Sequence, residues 1–280
     1  MKNKIIPTIL TIAGSDSSAG AGIQADLKTI HALGGYALTA ITAITAQNRL
    51  GVHAVHAVDP TILSDQLNAL LGDYQIDAIK IGMIPNSQLM HIVIAHLKQH
   101  PNIPVFIDTV MISSSGQTLM DRKALEIFIT ELLPLGTLIT PNIPELNTLL
   151  EISQKNSILG TDTEIKALYP RLKRLNIKAT LIKGGHSIDK LAIDYLLTDH
   201  ARIKISSQRL NIQNTHGTGC TLSSAIALEY AKTACLLTAV SNAKAFLFQA
   251  LQHAHTHQPT GKKAQNITLL KGGLNHLNRR

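Results

Sequence analysis

Ile5-Ile-Pro-Thr-Ile-Leu-Thr-Ile-Ala13, the loop Gly14-Ser-Asp-Ser-Ser-Ala-Gly-Ala-Gly22 and the segment from Gly22 to Leu33 follow one another without a break. The first is a short apolar run bounded by turn residues. In the last, Ile23, Leu27 and Ile30 recur at helical spacing and form an apolar stripe. A second strand-like run, Ala37–Thr45, comes next, so the chain opens with a strand, a loop, a helix and a strand. The alternation continues through helix Pro60–Leu71, strand Ala78–Ile81, helix Ser87–Gln99, strand Val105–Ile107, helix Asp121–Leu133 and strand Thr137–Ile139. A short helix from Ile143, a helix near Asp162–Leu175 and strand Ala179–Ile182 complete it. This is the pattern of a parallel sheet covered by helices on both faces.

Elsewhere the rhythm changes. Gly51–Val58 follows its strand with no helix between and reads as a small flap. Leu191–Leu197, Arg202–Ile205 and Arg209–Ile212 leave no room for crossover helices and read as an antiparallel edge. Two helices close the pattern, at about Thr218–Lys232 and Leu236–His255. With no internal repeat and no low-complexity linker, residues 1–280 read as one α/β domain with a basic tail from about residue 258.

Of the 280 residues, 45% are hydrophobic, enough for a large core. Four Phe, five Tyr and no Trp make that core aliphatic and argue against base-stacking platforms for single-stranded nucleic acid. The formal charge of +8 includes Lys262, Lys263, Lys271, Arg279 and Arg280 near the C-terminus, a solvated tail rather than a nucleic-acid patch. Dispersed positive charge also steers anionic substrates. Met1 to Ala13 superficially mimics a secretion signal, but Pro7, Thr8 and Thr11 interrupt the apolar run, which reads better as a buried first strand. No apolar stretch is long enough to span a membrane. The two cysteines, Cys220 and Cys235, are too few for a disulfide scaffold, so reduced thiols in the cytoplasm are expected.

Open parallel sheets bind ligands at the carboxyl ends of their strands, where the chemically capable residues of this chain fall. Asn214-Thr-His-Gly-Thr-Gly-Cys220 runs into a helix start, where unpartnered amides and the helix dipole attract anions. Gly217 and Gly219 admit a close ligand, Thr218 offers a hydroxyl, and Cys220 sits where a helix start depresses a thiol pKa. The alternative is a tight turn with a small buried cysteine. Gly14–Gly22 matches neither the Walker pattern nor the dinucleotide fingerprint. Asp26, beside the apolar stripe, is either an inward carboxylate in need of a partner or a first-turn charge on the helix dipole. Asp108 ends a strand and Glu145 begins a helix, two carboxylates suited to Mg²⁺ on a nucleotide, or else a strand-end cap and a helix-start charge. Lys183 either reaches a phosphate or snorkels. His253, His255 and His257 alternate at a helix end, where a frayed polar terminus explains them better than a metal site.

Taken together, Thr11-Ile-Ala-Gly-Ser-Asp16, Gly20-Ala-Gly-Ile-Gln-Ala-Asp-Leu-Lys-Thr29, Ile41-Thr-Ala-Ile-Thr-Ala-Gln-Asn48, Lys80-Ile-Gly-Met83, Asp108-Thr-Val-Met111, Thr140-Pro-Asn-Ile-Pro-Glu145, Lys183-Gly-Gly-His186 and Asn214–Cys220 closely resemble the bacterial hydroxymethylpyrimidine/phosphomethylpyrimidine kinases of thiamine biosynthesis. The resemblance covers roughly residues 8 to 255. It implies a ribokinase-like α/β/α fold, usually homodimeric, that uses ATP and Mg²⁺ to phosphorylate hydroxymethylpyrimidine and then its monophosphate. By the same resemblance Cys220 is the catalytic position, and Gly217, Thr218 and Gly219 form the anion hole. Gln47 reads the pyrimidine, with Gly14, Asp26, Met83 and Val110 in the same pocket. Asp108 and Glu145 match the magnesium region, and Lys183 and Asn142 the nucleotide side.

The family commonly carries Pro-Ser-Gly-Gly where this chain has Ser17-Ser-Ala-Gly20, and Lys-Ser-Gly where it has Ser114-Ser-Gly116. The C-terminal glycine motif is also atypical around Gly272-Gly-Leu-Asn275. Two other readings are a pyridoxal kinase of the same fold and a catalytically silent ligand-binding homologue. No partnership with nucleic acid or membrane is expected.

Overall fold

The structure is a computed structural model and describes residues 6–48, 51–111, 119–186, 191–210 and 216–254. One nine-stranded sheet organises it, with strand order β3-β2-β1-β4-β5-β6-β7-β8-β9. Its strands are β1 (Thr8–Asp16), β2 (Tyr36–Asn48), β3 (Gly51–Ala57), β4 (Ala78–Ile81), β5 (Val105–Ile107), β6 (Leu138–Ile139), β7 (Ala179–Ile182), β8 (Leu191–Thr198) and β9 (Arg202–Gln208). The six strands from β2 across to β7 pair in parallel, while β3 on one side and β8 and β9 on the other are antiparallel.

Period-2 alternation in the interior strands packs apolar side chains on both faces of the sheet. Phe106, Leu138 and Leu181 point to a cluster with α1 (Gly22–Ala32), α7 (Thr218–Thr233) and α8 (Leu236–Gln252). Their neighbours Ile107 and Ile139 point the other way, toward α2 (Pro60–Asp73), α3 (Ser87–Gln99) and α4 (Arg122–Ile127). On that same face Ile182 joins Tyr195 and Leu197 under α5 (Ile143–Leu149) and α6 (Asp162–Arg174). The result is the three-layer α/β/α arrangement expected from the alternation.

Several elements differ from expectation. β1 runs on to Asp16 because, after a one-residue register shift past Ala13, Ser15 and Asp16 pair in parallel with Ile44 and Thr45, so the expected loop is shorter. The flap is β3, an edge strand paired antiparallel to β2 through Ala43–Asn48. Arg202–Ile205 extends to Gln208 by pairing with β8 as far as Leu191, and Arg209 and Leu210 follow outside any strand. Residues 211–212 of the third expected run lie outside the described residues. The helix expected over Asp121–Leu133 is α-helical only to Ile127, then widens into a π-type turn, Phe128–Leu132, and a 3-10 turn, Leu133–Leu135. Pro134 has no N–H with which to continue an α ladder. The basic tail, His255, His257, Ser114–Gly116 and Gly272 also lie outside the described residues. His253 caps α8 locally, its Nδ1 lying 2.9 Å from Gln249 O. Among the described residues no helix is long and apolar enough to cross a membrane.

Candidate active site

A cleft of about 740 Å³ opens along the carboxyl ends of the parallel strands. Gly14, Gln47, Met83 and Val110 line one part of it, and Gly217–Cys220 with Asp108 lie at its centre. Asn142, Glu145 and Lys183 line it on the far side of Asp108. Thus all but one of the expected site residues, drawn from segments more than 200 positions apart, share one cavity.

The exception is Asp26. It does not line the cleft and is fully buried beneath it on α1. Its Oδ1 meets Lys80 Nζ at 2.8 Å and accepts the Ser224 hydroxyl at 2.7 Å, while Thr11 Oγ1 donates to Oδ2 at 2.5 Å. The inward carboxylate of the two alternatives is therefore correct, and its partner is Lys80. Sequence reading left Lys80 without a role, although a lysine inside the apolar strand Ala78–Ile81 was the available signal. Burial alone would lower the Lys80 pKa, but Asp26, helped by Cys220 and Asp108, holds it above the ordinary lysine value.

Gly217 is the N-cap of α7, in the left-handed region at φ +80°. The first helical bond runs from Thr221 N to Gly217 O, so the amides of Gly219 and Cys220 precede the ladder and face the helix mouth. A Cβ on Gly219 would stand 3.2 Å from Asp108 Oδ2 and 3.5 Å from Lys183 Nζ, so bare backbone approaches those charges. The expectation of a depressed Cys220 pKa is corrected. Desolvation, with Asp26 and Asp108 adding to it, pushes the thiol up to about 12, outweighing the opposing pull of Lys80. A helix start favours the thiolate by far less than removing it from water costs.

Beyond the helix mouth, Lys183 Nζ lies 3.1 Å from Asp108 Oδ1 and 3.8 Å from Glu145 Oε2. Desolvation opposes ionisation of Asp108, yet Lys183 and Lys80 hold its carboxyl below the usual range. Burial raises Glu145, with Asp108 adding to the shift and Lys183 opposing it. Glu145 belongs to a capping box: Asn142 Oδ1 accepts from Glu145 N, and Glu145 Oε2 accepts from Asn142 N, both at 2.8 Å. Asn142 is thus first the cap of α5, set beside Lys183 by a parallel bridge to that residue.

At the other end, a Cβ on Gly14 would come within 2.6 Å of Met83 Cε, so that glycine makes room for the methionine. Thr45 Oγ1 lies 3.2 Å from Gln47 Oε1. Sequence reading also assigned no role to Asp16 or His216, which line the same end, their side chains 2.9 Å apart.

A family profile described as phosphomethylpyrimidine kinase matches residues 16–266. The hydroxymethylpyrimidine/phosphomethylpyrimidine kinase of Salmonella typhimurium is 42% identical over 88% of this chain and 91% of its own length. The chloroplastic thiamine biosynthetic bifunctional enzyme of Arabidopsis thaliana is 40% identical over 89% of this chain, which spans only 47% of that longer protein. Among solved structures, the phosphomethylpyrimidine kinase of Clostridium difficile superposes with a TM-score of 0.76 at 37% identity, covering 87% of this chain and 99% of the other. The pyridoxal kinase of Staphylococcus aureus in complex with AMP-PCP gives a TM-score of 0.83 at 27% identity, covering 98% and 95%. The sheet order, the shared cleft and these likenesses agree on a ribokinase-like phosphotransferase, and the chain belongs to the phosphomethylpyrimidine kinase family.

Proposed function

We propose that the protein transfers the γ-phosphoryl group of ATP to the hydroxymethyl oxygen of hydroxymethylpyrimidine, and then a second phosphoryl group to the resulting monophosphate. The observation that carries this reading is the placing of Gln47 and the Gly217–Cys220 turn in one cleft, with Asp108 and Lys183 beyond it. The primary amide of Gln47 offers one acceptor and two donors to an aminopyrimidine edge. Gly14, Met83 and Val110 shape the space for the ring, and Asp26 acts from below through Lys80.

The nucleotide fits the opposite end, where Ala192, Leu210, Leu222, Leu247, Phe248 and Leu251 line an apolar wall suited to a purine. Lys183 and Asn142 lie between that wall and the helix mouth, so Lys183 is placed to turn from its carboxylates to a phosphate. The amides of Gly219 and Cys220, with the Thr218 hydroxyl, would stabilise charge on the phosphoryl oxygens. Among the described residues no cluster of three or more His, Cys, Asp or Glu could hold a metal ion. Asp108 and Glu145, the two carboxylates that line the cleft beside Lys183, would hold Mg²⁺ together with phosphate and water oxygens, where it would neutralise charge on the nucleotide.

A thiol that stays neutral suits the second transfer. Its nucleophile is a phosphate oxygen, which needs no base and which a fixed carboxylate at position 220 would repel. In Cys220→Asp the second transfer should therefore fall further than the first, and equal losses would refute this account.

Purified protein with MgATP and hydroxymethylpyrimidine should give successive mono- and diphosphate by mass spectrometry. Phosphorylation of pyridoxal alone, in a parallel tube, would move the assignment to a pyridoxal kinase, and ligand binding without product to a silent homologue. The homodimer expected of the family is tested by light scattering on the full chain.

A further inference from the structure

Asp16 closes β1, Gln47 lies near the end of β2, and His216 stands immediately ahead of α7. Three separate segments thus meet at the pyrimidine end of the cleft. The Asp16 carboxylate organises the loop that follows it: Oδ1 accepts from Ser18 N at 2.8 Å and Ser18 Oγ at 2.7 Å, and Oδ2 accepts from Ala21 N at 2.8 Å and Gly20 N at 3.2 Å. His216 Nε2 reaches the same Oδ2 at 2.9 Å. Contact between loop and helix start leaves no slack. A Cβ on Gly20 would stand 2.3 Å from His216 Cδ2, and one on Gly217 would stand 1.8 Å from Gly20 O.

Gln47 completes the cluster. Ser17 Oγ lies 2.9 Å from both its backbone N and its backbone O, which ties the loop to β2. Its side-chain Nε2 is 3.4 Å from His216 Nε2. An ionised carboxylate only accepts, so the Nε2 proton of His216 belongs to the bond with Asp16 whatever the charge on the ring. That nitrogen then has no lone pair for the Gln47 amide. The amide is held beside the imidazole without being consumed by it, and its N–H groups stay available to a ligand.

We propose that the Asp16–His216 pair is a clasp that fixes Gln47 and the Gly217–Cys220 turn relative to each other, making His216 a positioning residue for recognition of the pyrimidine. The inference rests on the reading of Gln47 as the group that meets the pyrimidine. Because His216 leads directly into Gly217, the same contact that places the ring reader also places the first turn of α7. A ring seated on Gln47 is thereby delivered in register with the phosphoryl site.

The test compares wild type, His216→Ala and His216→Gln in steady-state kinetics and in calorimetric titration with hydroxymethylpyrimidine. The Gln variant carries an N–H donor to about the position of Nε2. Removal of the clasp should raise KM and Kd for the pyrimidine about tenfold in His216→Ala, leave KM for ATP within about twofold, and be largely reversed in His216→Gln. Unchanged Kd in His216→Ala would overturn the clasp, as would equal rises in KM for both substrates or a Gln variant no better than Ala. A fall in kcat alone would also overturn it, by assigning His216 to the chemical step. Wild type that binds the pyrimidine without turnover would refute the kinase reading while the Kd series still decides the clasp. Wild type that does not bind the pyrimidine would refute both.

Discussion

Lys80 lies within the parallel strand β4 and Lys183 immediately follows the parallel strand β7, and each pairs with an aspartate. Lys80 is sealed: neither its side chain nor that of Asp26 has any exposure, and the carboxylate is further held by Thr11 and Ser224. Lys183 keeps 14% of its side chain open to the cleft and has two carboxylates to choose between. Both are protonated at neutral pH, since their partners raise each pKa against the desolvation that would lower it. The difference lies in what can reach them. A lysine whose partner is fully hydrogen-bonded and out of reach braces four segments, whereas Lys183 stays partly open to the cleft, as its proposed exchange of a carboxylate for a phosphate requires.

The sharpest break of this comparison is Lys80→Met. It leaves the buried Asp26 carboxyl without its cation, so stability should fall by about 3–5 kcal/mol in urea unfolding. Adding Asp26→Asn removes the second charge and should recover at least half of that loss. Lys183→Met should do the opposite, lowering kcat roughly 100-fold, about 2.7 kcal/mol of transition-state stabilisation, with a much smaller change in the urea midpoint. If Lys80→Met were the more harmful to catalysis and Lys183→Met to folding, the division of roles would be reversed.

The two thiols give a pH-dependent contrast of their own, half-buried Cys220 in the cleft against exposed Cys235. With its pKa pushed up to about 12, Cys220 should alkylate at a rate that climbs about tenfold per pH unit from pH 7 to 9 without a plateau. Exposed Cys235, its pKa lowered through hydrogen bonds involving Thr238, should react first and level off at a lower pH than Cys220, as peptide mapping after timed iodoacetamide treatment would show. A plateau for Cys220 near pH 7 would mean that the helix start outweighs desolvation after all.

The smallest expected effect concerns the loop that follows β1. Ala19 adopts φ +59°, a conformation that glycine takes without strain. Ala19→Gly, which restores the residue the family commonly has there, should therefore stabilise the protein by about 0.5–1 kcal/mol in the same urea assay. A loss of stability would show that the methyl group makes a contact worth more than the strain it causes.

Much of the fold was legible because periodicity is a local property. Ser87–Gln99, Val105–Ile107 and Ala179–Ile182 have the bounds their apolar patterns predict. Legibility fell where a neighbour decides: β9 gains three residues by pairing with β8, and β1 is prolonged by pairing with β2 beyond a register shift. In the site, Gln47, Asp108, Lys183 and Gly217–Cys220 were found from motifs at strand ends. His216 lies inside the Asn214–Cys220 motif, yet its position there reveals no role, because its meaning depends on Asp16, 200 positions away.

The order of apolar and turn residues by itself determined a layered α/β chain with its reactive groups at one edge of a sheet, since a strand's carboxyl end is set by chain direction alone. Only the tertiary structure decided which lysine is sealed and which is open, that Asp26 lies under the cleft rather than in it, and that the Cys220 thiol is hard to ionise. Those outcomes depend on desolvation and on distances between charges, which follow from the packing of segments far apart in the chain.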